Sequence, residues 1–514
     1  MKLVARSINL EVGGKSIVIL NKEDADFLGL HALDRVILKF NERELVAIVD
    51  ETSRFAMKGE MITNDDVTTF FNLKGGERIE VSKEDEPEST VYIKQKICGS
   101  RLEYDKIKKI VKDVVDKKLS EIELTALVTA LYIRGLSIDE AASFSRAMVE
   151  TGKKFKFDKE IICDKHSIGG IPGDKTTLVL VPIIAASGLT IPKSSSRAIT
   201  SPAGTADRME VLAPVTLSLE EIEEVVKKTG ACLVWGGALD LSPADDEFIK
   251  IEYPLGIDPM LLPSIMSKKK AIGAKFVVID IPTGREAKVT NMQKARELAD
   301  DFLELGKRLG MQIACGITFG EQPLGYCVGP ALEAREALLT LQGKGPKDLV
   351  EKSTMLCDML FNEVGIKDHG AALEVLRSGK AEKKMREIIE AQGGDPEIKP
   401  ENIEVGDKIY KFKADADGRV LWVKNSAIVL VAREAGAPKD KGAGIHLNVK
   451  MGDPIKKGDT LFTIYSNNYI RLSDATKIAE ELKPITVGKK FEEKMILEKI
   501  FAEIPTKRIF MLER

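Results

Sequence analysis

Long hydrophobic runs are missing from this chain. The longest, Leu178 to Ala186, is broken by Pro182 and is far too short to cross a bilayer, and the N-terminal MKLVARSINLEVGG has no uninterrupted apolar core of the kind a secretion signal needs. No membrane partner is expected, and a cytoplasmic location is. An excess of one charge is missing as well. Lys+Arg 77 against Asp+Glu 80 leaves a net charge of -3, which offers no surface to a polyanion, so nucleic acid is not an expected partner. The six cysteines, Cys98, Cys163, Cys232, Cys315, Cys327 and Cys357, show neither CxxC spacing nor histidines at zinc-finger intervals, so reduced thiols and no metal site are expected. Three of the four histidines, His31, His369 and His446, have no chemical company and read as surface or satisfied core residues. Aromatic residues make up only 5% of the chain against 31% charged, a balance compatible with surface ion-pair networks.

What is present divides the 514 residues into roughly three or four units. Residues 1–84 read as a small β-rich domain, with Gly13-Gly14 and Gly75-Gly76 as turn signals around VILKF and LVAIVD. The acidic KEDEPEST of 83–90 then reads as a linker. From Asp105 the apolar residues Ile107, Ile110, Val111, Val114 and Val115 recur at helical spacing. Ser120 with Glu123 and Ser137 with Glu140 spell two capping boxes, while Gly135 and Gly152 stand at helix ends, so three short helices are expected in a helical domain over 94–155. Beyond Gly188, buried-strand runs such as FVVIDIP and MQIACGITF alternate with helical segments, the pattern of an α/β domain, expected over 160–425. Strand patterning returns beyond about Tyr410 with Gly452-Asp453 and Gly458-Asp459 turns, and a small β-rich C-terminal domain is expected over 426–514. No repeat array stands out. The fold class is α/β, a helical domain plus a mixed-sheet α/β domain flanked by two small β-rich ones.

Two segments concentrate the chemistry. In DKHSIGGIPGDKTT, Gly169, Gly170 and Gly173 let several backbone N–H groups converge on one anion. Lys165 adds a charge, Ser167, Thr176 and Thr177 add hydroxyls, and the helix expected after Thr177 turns its positive end the same way. His166, between a lysine and a serine, is placed to hydrogen-bond a phosphate or sugar oxygen, or to serve only as a spacer. A P-loop is excluded, because Asp174 separates Gly173 from Lys175 and breaks the Walker spacing. The second segment, SSSRAITSPAGTADRME, supplies Ser196, Arg197, Gly204, Thr205, Asp207 and Glu210.

These residues, in this order, resemble the thymidine/pyrimidine-nucleoside phosphorylase family, and the likeness runs from about Cys98 to the C-terminus. The helical LSEIELTALVTALYIRGLSIDEAASFSRAM, SIMSKK at 264–269 and GPALEAREAL at 329–338 follow the family too. The extra N-terminal domain and the RAITSPAGTAD form of the hallmark resemble a branch acting on nucleoside 5′-monophosphates, AMP and its CMP and UMP analogues. By matched position the resemblance implies that Lys165, Ser167, Thr177, Ser195 and Thr205 hold inorganic phosphate. It implies that Gly170, Ser196, Arg197, Ala198, Ile199, Thr200, Ser201, Thr205, Ser264 and Lys288 contact the nucleotide. Asp258 would be the proton donor, and Lys268 matches a base-side lysine. Where the nucleoside enzymes place an arginine, YPLGIDP has Gly256 and then Asp258. The family also implies a cleft between the helical domain, which takes in about 250–272, and the α/β domain, with no metal or organic cofactor and with homodimers or larger homo-oligomers.

The reaction so implied is phosphorolysis. Phosphate attacks the anomeric carbon through an oxocarbenium-like transition state, to free base and ribose 1,5-bisphosphate. A protonated Asp258, kept neutral by burial, would then assist the departing base. Read from the residues alone, Asp258 also fits a helix N-cap ahead of Pro259, and Arg197, a candidate for the 5′-phosphate, also fits a structural partner of Asp207 or Glu210. Three alternatives stay open: a pyrimidine-nucleoside phosphorylase, an anthranilate-phosphoribosyltransferase-like enzyme, and a non-catalytic nucleotide-binding protein.

Overall fold

The computed structural model describes residues 1–84, 86–198, 201–366 and 370–488. Expectations for Ile199, Thr200, His369 and 489–514 lie outside the described residues. At the N-terminus, strands Lys2–Ser7, Glu60–Thr63, Ile17–Asn21, Arg43–Thr52, Arg35–Phe40 and Arg78–Lys83 close, in that order, into a barrel. Every second residue points inward, so Leu3, Val18, Leu20, Val36, Leu38, Ile79 and Val81 fill its interior.

The pairing brings out a two-copy repeat that composition hides, with 18–40 recurring as 61–83. Asn21 and Asn64 each cap a short helix, Lys22–Leu28 and Asp65–Phe71, by accepting from a backbone N–H. Gly29 and Asn72 end those helices in the left-handed conformation, Leu30 and Leu73 enter the core, and Arg35 and Arg78 open the next strand. The barrel docks on the helical domain through Arg35 on Glu123 and Lys15 on Glu121, the latter at 2.6 Å.

In the helical domain, helices Glu88–Ile97, Tyr104–Val115, Glu121–Arg134 and Ile138–Thr151 share a core to which the later helix Pro243–Leu255 adds Ala244 and Phe248. Both capping boxes form as expected. Glu140 of the second box also takes a buried ion pair from Lys96 at 2.7 Å, which fastens the first helix to the fourth. That first helix shortens the expected linker of 83–90, because Lys83 still ends a strand while Glu88 already opens a helix, and Ser89 and Thr90 are buried.

The α/β domain carries five strands side by side, Ala231–Trp235, Ile191–Ser195, Cys163–Ser167, Phe276–Thr283 and Gln312–Phe319, all parallel. A single bridge from Ile162 to Thr190 joins the second to the third. The apolar run at 178–186 becomes the helix Thr176–Ala186, buried almost throughout against one face of the sheet, and Met292–Leu309 covers the other with Phe302, Leu305 and Leu309. From Cys163–Ser167 the chain first adds strands on one side and then on the other, so the order reverses there. Parallel sheets open a ligand crevice at the carboxyl ends of their strands beside such a reversal, and this is where the glycine loop emerges.

Strands Lys408–Lys413 and Gly418–Val423, expected with the α/β domain, instead pair with Thr460–Ser466 and Ile485–Gly488 of the C-terminal unit. The C-terminal unit also reaches back, since Gly444–Leu447 pairs antiparallel with Cys327–Val328.

Candidate active site

Alternation along Cys163–Ser167 sends its charged residues to two sides. Lys165 is buried, with Nζ 3.4 Å from Thr177 Oγ1 and 3.9 Å from Asp280 Oδ2 on the neighbouring strand. Asp280 in turn pairs with Lys352 at 2.8 Å and accepts from Thr318 Oγ1 at 2.6 Å. Asp174, in the glycine loop, accepts from Ser167 Oγ at 3.1 Å and lies 3.4 Å from Lys352. Two cations and two carboxylates thus share one enclosed space. Burial works to raise the Asp174 carboxyl, but Lys352 and Lys165 together hold it well below the usual carboxylate range. Burial pulls the Lys165 ammonium down, against the attraction of Asp174 and Asp280. Lys175 takes no part: its ammonium donates to the carbonyls of Leu324 and Cys327 and pairs with Glu336 at 2.5 Å, consistent with the exclusion of a P-loop.

Asp164 and His166 face the other way. Buried Asp164 holds Lys269 at 2.8 Å and Lys193 at 3.6 Å. Burial brings Lys193 down to about 7. His166 is pushed well below its usual value, first by burial and then by Lys269, Lys193 and Lys165. Its imidazole is therefore neutral near pH 7, a hydrogen-bonding group and not a charge.

The glycines earn their places by geometry at two positions. Gly170 has φ +100°, and a Cβ there would lie 2.3 Å from the backbone nitrogen of Lys288. Gly170→Ala is expected to push the loop off Lys288 and lower kcat/KM by up to about 10²-fold, the scale of a 1 Å misplacement, with thermal unfolding little changed. A large fall in melting temperature with retained kinetics would contradict this. At Gly204 a Cβ would lie 2.6 Å from the Ala198 nitrogen, which leaves room only for glycine.

The hallmark loop is held together by its own acids. Asp207 accepts from the N–H groups of Ala198 at 2.7 Å and Gly204 at 2.8 Å, tying both ends of the loop to the helix Thr205–Met209. Arg197 makes two bonds to Glu210, at 2.6 and 2.8 Å, a third to Asp207 at 3.3 Å, and stacks on Trp235. Its charge is committed to these partners, the structural pairing that the residues alone had left open, and a nucleotide phosphate would have to compete for it. Ser196 is exposed, while Ser195 Oγ donates to the Val234 carbonyl and Ser201 Oγ to that of Ala203. Thr205 Oγ1 accepts from Arg208, whose guanidinium is fixed by buried Glu333 at 2.6 Å.

Arg197 and Lys441 bring Glu210 down to about 2 from 4.5. A carboxyl depressed on folding stabilises above its unfolded value and loses that contribution as pH falls. The loop is therefore expected to loosen between about pH 4.5 and 2, read as rising Trp235 fluorescence exposure, and Glu210→Gln should abolish that transition.

On the helical wall, Ser264 and Lys268 both bond Asp245 Oδ2, at 2.8 and 2.5 Å, so the nucleotide-contact candidate and the base-side candidate converge on one buried carboxylate. Asp258 corrects two expectations. It is not an N-cap, because the helix Leu261–Ala271 starts after Met260. Nor is it buried, since its side chain is 38% exposed and pairs with Lys288 at 2.5 Å. The buried acids of this wall are Asp245 and Glu252, the latter accepting from the Met260 N–H at 3.0 Å.

Asp280, Lys352, Asp164, Lys193, Lys269, Asp245 and Glu252 were not singled out from sequence, and Asp174 was noted only for breaking the Walker spacing. Two signals were there to use. Asp280 interrupts the apolar run FVVIDIP, and Lys352 lies on the apolar stripe of its helix between Leu349 and Leu356.

Three family models match the chain: the α/β domain of a glycosyl transferase family over 159–382, that family's helical bundle domain over 90–152, and the pyrimidine nucleoside phosphorylase C-terminal domain over 420–486. Among curated proteins, the AMP phosphorylase of Thermofilum pendens is 47% identical over 515 residues, spanning 100% of both chains. That of Thermococcus kodakarensis is 50% identical over 507 residues, 97% of this chain and 99% of its own. That of Pyrococcus furiosus is 50% identical over 487 residues, 93% and 96%. Among solved structures, the anthranilate phosphoribosyltransferase of Thermus thermophilus shares the fold, with a TM-score of 0.50 and 21% identity over 58% of this chain and 98% of that one.

Proposed function

The chain belongs to the family of the archaeal AMP phosphorylases, and we infer from that premise that it is a pentosyltransferase that splits nucleoside 5′-monophosphates, AMP first, with inorganic phosphate into free base and ribose 1,5-bisphosphate. The observation that carries the siting of this chemistry is Lys165. It is a buried ammonium set against Thr177 Oγ1 at the positive end of an eleven-residue helix and roofed by the glycine loop.

We assign the attacking phosphate to this end of the cleft, with Ser167, Ser195 and Thr205 completing its contacts. Neutral His166 would donate or accept a hydrogen bond at no cost in repulsion. The nucleotide would lie across Gly170 and the 196–201 loop, its phosphate toward Lys288 and its base toward Ser264 and Lys268. Held so, the two reactants meet as one complex, and the orientation alone supplies much of the rate.

We further infer a homodimer or larger homo-oligomer. Helix Glu121–Arg134 leaves Ile122 71%, Tyr132 58% and Ile133 70% exposed, an apolar face of the kind a subunit contact covers. Among the described residues no helix is long and apolar enough to cross a membrane, and we place the enzyme in the cytoplasm.

The deciding experiment is adenine release from AMP with and without phosphate, the sugar product identified by phosphorus NMR. Strict phosphate dependence and ribose 1,5-bisphosphate are expected. Release without phosphate, or release of ribose 5-phosphate, would refute the reading.

A further inference from the structure

Four strands of the C-terminal sheet lay one rung of side chains opposite a helix of the α/β domain. Across the sheet, Cys327 is in register with His446, His446 with Thr463, and Thr463 with Lys411. Residues directly opposite one another share a face, so these four point the same way. Facing them, helix Pro330–Leu341 presents Arg335 and Glu336, and a cavity of about 430 Å³ lies between rung and helix. It is separate from the cleft, since no residue assigned to the nucleotide or to the attacking phosphate lines it. Of the charged residues that do, Lys411 and Arg335 come from opposite walls, and among the described residues neither has a carboxylate partner. Arg335 donates through Nη2 to the Ile403 carbonyl, while its buried Nε finds no acceptor among the described residues. Glu336 is already engaged: it pairs with Lys175 at 2.5 Å and accepts from the N–H groups of Tyr326 and Cys327 at 3.0 and 3.3 Å.

We propose that this cavity is a second anion site of the protein, one that takes the phosphate monoester of a sugar or a nucleoside. Two cations from opposite walls suit a phosphate group, which carries a charge of about −2 at pH 7. The planar fork of Arg335 fits phosphate oxygens better than a point charge does. The rung adds neutral partners. Thr463 offers a hydroxyl, and burial holds His446 below its usual value, so its ring exchanges hydrogen bonds without charge near pH 7. Size argues for an ester and against the bare anion, because pockets for small organic ligands start at about 300 Å³ and inorganic phosphate would fill only part of this one. Glu336 narrows the class further. It stands on the same wall as Arg335, where a carboxylate accepts from a sugar hydroxyl but repels a second anionic group, which favours a monophosphate over a bisphosphate.

The test is calorimetric titration of the intact protein with millimolar ribose 5-phosphate, AMP or ribose, in the parent and in Lys411→Glu, with no inorganic phosphate added. Lys411 is exposed, so the variant should keep the parent's melting temperature. The parent should bind one equivalent per chain more than Lys411→Glu of at least one of the two esters, while ribose shows no such difference. A lost equivalent with AMP alone identifies a nucleotide site, and one with ribose 5-phosphate identifies a sugar-phosphate site; either upholds the proposal. Arg335→Gln, which removes the cation of the opposite wall, should lose the same equivalent. If Arg335→Gln also unfolds at lower temperature, Lys411→Glu decides alone. Equal stoichiometry in the parent and Lys411→Glu for both esters, or a lost equivalent with ribose as well, would overturn the proposal. Binding is read without turnover, so a failure of the phosphorolysis reading would leave this result standing.

Discussion

Asp258→Asn is expected to lower kcat for AMP by about 10²–10⁴-fold, the usual contribution of a positioned general acid, with a much smaller change in KM. Adenine departs poorly as an anion, so a proton delivered to a ring nitrogen as the bond to C1′ breaks lowers the barrier. Asparagine keeps the size of the side chain and can hydrogen-bond the base, but it has no proton to transfer. A nucleotide whose base leaves as a neutral pyridine needs no proton, and for such a substrate the parent and Asp258→Asn should differ by less than about tenfold, an order below the loss on AMP. Equal losses on both substrates would remove Asp258 from proton transfer and make it a group that only shapes the pocket.

Lys352→Met should be the most destabilising single change in the α/β domain. It leaves Asp280 and Asp174 enclosed with Lys165, at 3.9 Å from the former, and the more distant Arg208 to balance them. Removing one member of a buried ion cluster typically costs about 3–5 kcal/mol, because the remaining charge has lost its partner but not its burial. The measurement is the urea midpoint of the transition that phosphate shifts, since several domains unfold in this chain and one global value would mix them. Lys352→Met with Asp280→Asn should recover part of the loss by neutralising the orphaned carboxylate. A single variant within about 1 kcal/mol of the parent would mean that the four charges do not hold this part of the structure together.

The sequence made the loop, its glycines and its hydroxyls visible because they are local. Three glycines within five residues, two capping boxes and a hallmark of fixed spacing can be read one after another along the chain. What stayed hidden was the pairing. Lys165 and Asp280 are neighbours only because two strands far apart in sequence lie side by side, and Lys352 joins them from a helix that crosses the sheet. Asp258 shows the opposite failure. Its place in the order of motifs was legible, yet the burial expected to keep it neutral is absent, since exposure is set by how two walls face each other. The barrel repeat escaped for a third reason. Its copies agree at caps, turns and core positions but differ at nearly every surface residue, so only the strand pairing makes them recognisable. Arg197 was legible in both of its possible roles, and the fold sets it beside Glu210 and Asp207, partners that a nucleotide phosphate would have to share.

The C-terminal unit has a grip on the glycine loop that its distance along the chain would not suggest. Gly444–Leu447 pairs with Cys327–Val328, and Lys450 holds the carbonyls of Pro323 and Gly325, each at 2.7 Å or less. The same short stretch supplies the carbonyls that anchor Lys175, and it lies so near Gly173 that a Cβ there would come within 2.6 Å of the Leu324 oxygen. The terminal domain is thus a buttress for the glycine loop. Any assembly that pulls on it, or any truncation that trims it away, would be transmitted to the glycine loop and, on the proposed phosphate assignment, is expected to change the affinity for phosphate.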